Sequence, residues 1–192
     1  MSIKENLNKI KNTIPAHVKL IAVSKFHPVD SISEAYLAPH KIFGENKVQE
    51  MKEKYELLPK DIEWHMIGHL QSNKVKYIIP FVHLIHSIDS EKLLIEVQKQ
   101  AQKLNKKVNV LLQFFIADEE TKYGLNLEEA EEISRNYNEG KYPNIEFCGV
   151  MGMASFSNDE NKIRNEFKAL KKYFILLKEN YFKEESFKEI SM

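Results

Sequence analysis

The chain has 192 residues, 43% apolar and 29% charged, a size and composition that bury one sizeable core in a single domain spanning 1–192. Lysine plus arginine and aspartate plus glutamate stand at 28 each, so the formal net charge is zero and nothing in the balance recruits nucleic acid or an anionic membrane. The apolar runs are too short to span a bilayer, no basic-plus-hydrophobic signal opens the chain, and one cysteine, Cys148, excludes an internal disulfide framework and fits a reducing cytosol. The seven histidines are scattered and no Cys/His cluster has zinc-site spacing, so no metal is expected.

Taken in order, residues 2–12 predict an amphipathic helix with Ile3, Leu7 and Ile10 on one stripe, closed by Pro15. The run Leu20–Val23 reads as a buried parallel strand, after which polarity switches to Ser24, Lys25 and His27 and Pro28 stops the strand. A crossover helix over about 30–38 follows, with Asp30 as its expected N-cap. Lys41–Phe43 is a brief second strand ending in Gly44-Glu45-Asn46, and a helix over 47–57 carries Val48, Met51 and Tyr55. The third strand, Ile62–Ile67, runs into Gly68-His69, and a helix over 71–79 ends at Pro80. The fourth strand, Leu84–Ile88, delivers Ser87 and Asp89, and a helix over 91–104 aligns Leu93, Leu94, Val97, Ala101 and Leu104. Val108–Phe115 is the fifth strand, with Gln113 near its end, followed by a loop over Asp118–Gly124. A helix over 127–138 opens on Glu128 and Glu129, which suit its N-terminal dipole. Ile145–Met151 is the sixth strand, a helix over 159–181 buries Ile163, Phe167, Leu170, Phe174 and Leu177, and Phe187–Met192 begins a seventh strand.

Strand alternates with helix throughout, which implies a parallel sheet; right-handed crossovers curl it toward a (β/α)8 barrel of the TIM type. An open doubly wound sheet is the alternative, but the first strand–helix turn has no G-x-G-x-x-G. Polar residues gather where the strands end: Ser24 and Lys25, Glu45 and Asn46, His69, Ser87 and Asp89, Gln113, Ser155 and Ser191. A lysine on that edge, partly desolvated, keeps some neutral amine for condensation with a carbonyl. A surface lysine that merely follows a strand is the competing reading. Asn46 equally suits the cap of the helix after it, His69 suits packing, and Asp89 and Ser90 have the pattern of caps. Glu45 and Glu50 read as solvent-facing or ion-paired, and Trp64 as core.

Particular strings go further. A-V-S-K at 22–25, F-G-E-N-x-x-Q-E at 43–50 and W-H-x-I-G-H-L-Q-S-N-K at 64–74 occur together, joined by H-S-I-D at 86–89, T-K-Y-G at 121–124 and G-V-M-G-M at 149–153. Together they closely resemble the pyridoxal phosphate homeostasis protein family, whose domain is similar to the N-terminal barrel of alanine racemase. The resemblance implies a fold-type III (β/α)8 barrel that holds pyridoxal 5'-phosphate (PLP) as a Schiff base on Lys25. It places Asn46 and His69 beside the cofactor ring and implies a carrier in vitamin B6 homeostasis with no catalytic residue, a cytoplasmic monomer whose partner is PLP alone.

The family's closing pattern, S-M-G-M-S, a helix and an R-I-G strand, cradles the phosphate; here Ser191-Met192 matches its start, so Ser191 is the expected phosphate contact. A barrel truncated before its last strand, with Arg135 and Arg164 away from the mouth, is expected to hold PLP weakly, exchange it readily or leave the pocket empty. A fold-type III racemase or decarboxylase is the alternative function, and a cofactor-free Schiff-base aldolase a more distant one.

Overall fold

The computed structural model describes residues 2–117 and 123–192. Seven strands, β1 (Ala22–Val23), β2 (Ile42–Glu45), β3 (Glu63–Met66), β4 (Leu84–Ile88), β5 (Val108–Phe114), β6 (Ile145–Gly152) and β7 (Glu189–Ser191), pair in chain order, every pair parallel. An order without reversal has no switch point, so the doubly wound alternative is excluded. The helices are α1 (Ile3–Lys11), α2 (Val29–Leu37), α3 (Val48–Leu57), α4 (Val75–Ile78), α5 (Glu91–Lys103), α6 (Leu127–Asn138) and α7 (Glu160–Asn180). No helix among the described residues is long and apolar enough to cross a membrane.

The curl of the sheet is visible in one ion pair. Laid flat, seven strands would hold their outer members about 29 Å apart. Instead the Lys19 ammonium, just before β1, lies 2.6 Å from Glu189 on β7. The first and last strands therefore approach each other around a lumen.

Alternation along each strand divides the side chains between two cores. Phe43, Trp64, Met66, Ile85, Val110, Leu112, Phe147 and Val150 join the large core under the helices. Leu84, Leu111 and Met151, with Cys148 beside them, form a small separate core inside the curl. Trp64 is fully buried, as its sequence context implies, and Met153 is exposed.

Several boundaries differ from expectation, each for a physical reason. The strand expected over Leu20–Val23 is confined to Ala22–Val23, and Val23 is 48% exposed, because β1 pairs on one side only. Pro28, not Asp30, is the N-cap of α2, with no side-chain bond. The helix expected over 71–79 is a 3-10 turn, Ser72–Lys74, followed by the single turn α4. Phe187 lies outside β7 because its ring stacks between Phe174 and Phe182, at centroid distances of 5.2 and 4.3 Å.

The first turn of α6 is closed by a reciprocal cap. Asn126 Oδ1 accepts from the Glu129 N–H at 2.9 Å, and Glu129 Oε2 accepts from the Asn126 N–H at the same distance. Asn126→Ala removes one acceptor for a helix-end amide and is expected to lower stability by about 1 kcal/mol, read as a lower urea midpoint with unchanged slope.

Candidate functional site

Lys25 sits in a tight turn immediately after β1. The His27 N–H closes it onto the Ser24 carbonyl at 3.0 Å, and Phe26 at its centre has φ = 66°, a left-handed conformation that disfavours a bulky residue. Something must hold that strained turn, and α3 supplies it. Lys54 Nζ donates to the Ser24 carbonyl at 2.7 Å, to Glu45 Oε1 at 2.7 Å and to Glu50 Oε1 at 2.6 Å. Glu50 Oε1 accepts from the Phe26 N–H at 2.7 Å, and the Ser24 hydroxyl donates to Glu45 Oε1 at 2.6 Å. One ammonium and two carboxylates thus grip both a carbonyl and an amide of the turn that carries Lys25.

The network lies on the helix side of the sheet, with the Lys54 side chain 6% exposed and Glu45 0% exposed. Burial alone would raise the Glu50 carboxyl, but the Lys54 ammonium and the Phe26 N–H outweigh it and hold the group below its usual range. Lys25 itself is exposed and makes no hydrogen bond or ion pair among the described residues. The expected desolvation therefore finds no burial to rest on. What distinguishes this amine is that it is uncommitted and held in place.

Neighbouring strands bring the next two residues alongside. Val23 pairs with Gly44 and Gly44 with His65, so Lys25, Asn46 and His69 occupy the carboxyl ends of three consecutive strands. Asn46 does not cap α3, whose N-cap is Lys47 without a side-chain bond, and the Asn46 amide has no partner among the described residues. At Gly68 a Cβ would stand 2.5 Å from the Asn46 carbonyl oxygen and 2.7 Å from its Cα, so only glycine lets the two strand ends run this close.

His69 is exposed, not a packing histidine. Its Nδ1 lies 2.9 Å from Asp89 Oδ2, beyond the end of β4, and its ring stacks on Tyr123 with centroids 4.0 Å apart. A carboxylate only accepts, so Nδ1 carries the proton and Nε2 is left free. Ser90, not Asp89, caps α5. Gln113 donates through Nε2 to the Tyr123 carbonyl at 2.9 Å and so anchors the stacking ring's backbone. Thr121 and Lys122 of the T-K-Y-G string, with residues 118–120 of the expected loop, lie outside the described residues.

Ser191 is placed differently. It ends β7 and faces the lumen, where its Oγ lies 2.9 Å from His86 Nδ1. His86 Nε2 in turn lies 2.8 Å from His65 Nδ1, forming a chain that crosses the lumen from β7 to β3. Burial, with the neighbouring His86, His83 and Lys19, pushes His65 down to about 3, and burial pushes His86 down to about 4. Both imidazoles are therefore neutral near pH 7.

An uncommitted amine, an unpaired amide and an oriented imidazole beside an aromatic face suit a planar carbonyl compound that condenses with the amine and is steadied by hydrogen bonds. Lys54 and Tyr123 are the contributors that sequence patterns did not single out, whereas Asp89 stands among the strand-end polar residues and Glu50 among the carboxylates read as solvent-facing or ion-paired. The signal for Tyr123 is membership in the string T-K-Y-G and, for Lys54, the four-residue spacing from Glu50 on one helix.

The family profile described as "Alanine racemase, N-terminal domain" matches residues 1–190. A pyridoxal phosphate homeostasis protein of Aquifex aeolicus is 40% identical over 154 residues, 80% of this chain and 67% of that one. One of Schizosaccharomyces pombe is 40% identical over 146 residues, 75% of this chain and 61% of that one. The structure of PipY from Synechococcus elongatus with PLP bound superposes with a TM-score of 0.88 at 29% identity, covering 100% of this chain and 88% of that one. The chain thus spans about two thirds of the length of these two curated relatives and nearly all of the solved structure.

Proposed function

Since the chain belongs to the alanine racemase N-terminal domain family and is 40% identical to a pyridoxal phosphate homeostasis protein within the matched region, we propose that it binds PLP reversibly through Lys25 and serves PLP homeostasis as a carrier. The observation that carries this reading is the clamped turn: an amine without a competing partner, fixed by the buried Lys54–Glu50–Glu45 network at the open rim of the curled sheet. PipY, which shares this fold, has been seen with PLP bound.

When bound, PLP supplies an aldehyde that links to a primary amine as a Schiff base and can be passed to another amine. The chain's own residues do the rest. Lys25 offers the nucleophilic nitrogen. Asn46 offers an amide that donates and accepts, and His69 Nε2 offers an acceptor whose orientation Asp89 fixes. Ser191, whose Oγ lies 2.9 Å from His86 Nδ1, would contribute a hydroxyl toward the phosphate. No residue is assigned to turnover; a cytoplasmic monomer that engages the cofactor alone is part of this proposal, and the single cysteine fits a reducing compartment.

Titration with PLP, borohydride reduction and peptide mapping test this directly. One equivalent of reduced label is expected on the peptide bearing Lys25, out of 26 lysines in the chain. Lys25→Ala should reduce saturable label about tenfold or more, equivalent to ~1.4 kcal/mol. Label spread evenly over the lysines, or a saturable equivalent retained in Lys25→Ala, would overturn the assignment. Because racemases share this fold, the PLP-loaded chain should also be incubated with L-amino acids; D-enantiomer on chiral chromatography would replace the carrier reading with an enzymatic one.

A further inference from the structure

At the opposite end of the strands from Lys25, we propose a binding site for zinc or a similar imidazole-seeking dication, formed by Glu63, His65 and His83. Each offers one donor atom, and the three atoms lie within 4.8 Å of one another. His83 Nε2 and Glu63 Oε2 are 3.5 Å apart, close to the ~3.4 Å that separates two ligands of a tetrahedral ion with bonds of about 2.0–2.1 Å. The His65 and His83 rings lie face to face, with centroids 5.3 Å apart.

The atom that argues most strongly for a ligand is His65 Nε2. It is buried and has no hydrogen-bond partner, while the residue as a whole is only 5% exposed. An enclosed polar atom left unpaired costs about 1–3 kcal/mol, so its partner is worth seeking. The other ring nitrogen, Nδ1, is committed to His86, which is committed to Ser191. With His65 Nδ1–H donating to His86 Nε2, and His86 Nδ1–H donating to Ser191 Oγ, the lone pair is left on His65 Nε2. This is the arrangement in which outer hydrogen bonds fix the tautomer of a metal-binding histidine.

Access is provided by a cleft of about 380 Å³ whose lining includes Glu63 and His83. An ion entering there meets the two half-exposed ligands first, with His65 behind them. Lys60, Asp61, Lys106 and Lys107 also line the cleft. The donor set selects the ion: calcium and magnesium are held by oxygen ligands, whereas two imidazoles and one carboxylate are a preferred set for zinc. A fourth position remains for water. An exposed His83–Glu63 ion pair beside a packed histidine is the plain alternative, but such a pair leaves the His65 nitrogen unexplained.

Calorimetric titration of the PLP-free full chain with Zn²⁺ tests the site. One saturable equivalent is expected, weakened about tenfold or more, ~1.4 kcal/mol, in both His83→Ala and Glu63→Gln. Both positions are half-exposed, and an unchanged urea midpoint will show that the variants fold. His17→Gln, at an exposed histidine elsewhere, should bind as the parent does. Absence of saturable binding, equal affinity in the two site variants and the parent, or equal weakening in His17→Gln would overturn the proposal. None of these outcomes bears on PLP, because the titration omits it.

Discussion

Lys54→Met is expected to cost about 3–5 kcal/mol, the usual penalty for removing one partner of a buried ion pair and leaving the other uncompensated. The carboxylate left behind is Glu45, fully enclosed, with Oε2 already lacking a partner and Oε1 reduced to the Ser24 hydroxyl. Glu50, 22% exposed at its side chain, can turn toward water and suffers less. The urea midpoint should fall by about 1–2 M. The double variant Lys54→Met with Glu45→Gln removes the stranded charge and should recover a large part of the loss. An unchanged midpoint in the single variant would mean that the network does not support the fold. The same substitution frees the Ser24 carbonyl and loosens Glu50 from the Phe26 amide. Even in whatever fraction remains folded, reduced PLP label at Lys25 should therefore fall relative to its neighbours.

Acid is expected to destabilise the metal-free protein well before its carboxylates titrate. His65 and His86 are pushed to about 3 and about 4 by burial, and burial lowers His40 too, even though its Nε2–H reaches the Ile42 carbonyl. In the unfolded chain each histidine takes a proton near pH 6.5, which the folded chain refuses. The stabilisation is thus complete above pH 6.5 and is lost as pH falls toward the folded values. For the His65–His86 pair the slope approaches about 2.7 kcal/mol per pH unit, twice the single-proton value. Urea midpoints measured with a chelator present should drop steeply between pH 7 and pH 5, and His86→Gln should flatten that drop. Equal midpoints at the two pH values would show that these imidazoles are protonated in the folded chain.

The strand–helix alternation is legible in chain order because buried parallel strands are short and aliphatic and end abruptly in polar turns. The residues at those ends were legible for the same reason. Lateral register is not. His65 and His86 are 21 residues apart and Lys19 and Glu189 are 170 apart, and no spacing rule joins either pair. The Glu63, His65 and His83 cluster has no ligand motif in the sequence because one member comes from the neighbouring strand's approach. Lys54 looks like one more charge on a solvated helix face. It is buried because α3 packs over β2 and sets it against Glu45. Asn46 illustrates the opposite error: local preference suggests a cap, while the chain enters α3 one residue later and leaves the amide unspent.

The close passage at Gly68 gives the rim a dimension measured in main chain. Side chains can be exchanged one at a time while a lineage diverges, each replacement finding its own rotamer. The interval between residue 46, just past β2, and residue 68, just past β3, has no such latitude, since any added carbon at 68 meets carbonyl and Cα atoms directly. Widening it requires the two strand ends to move apart together, which fixes the spacing of the side chains that the rim presents on either side of this contact.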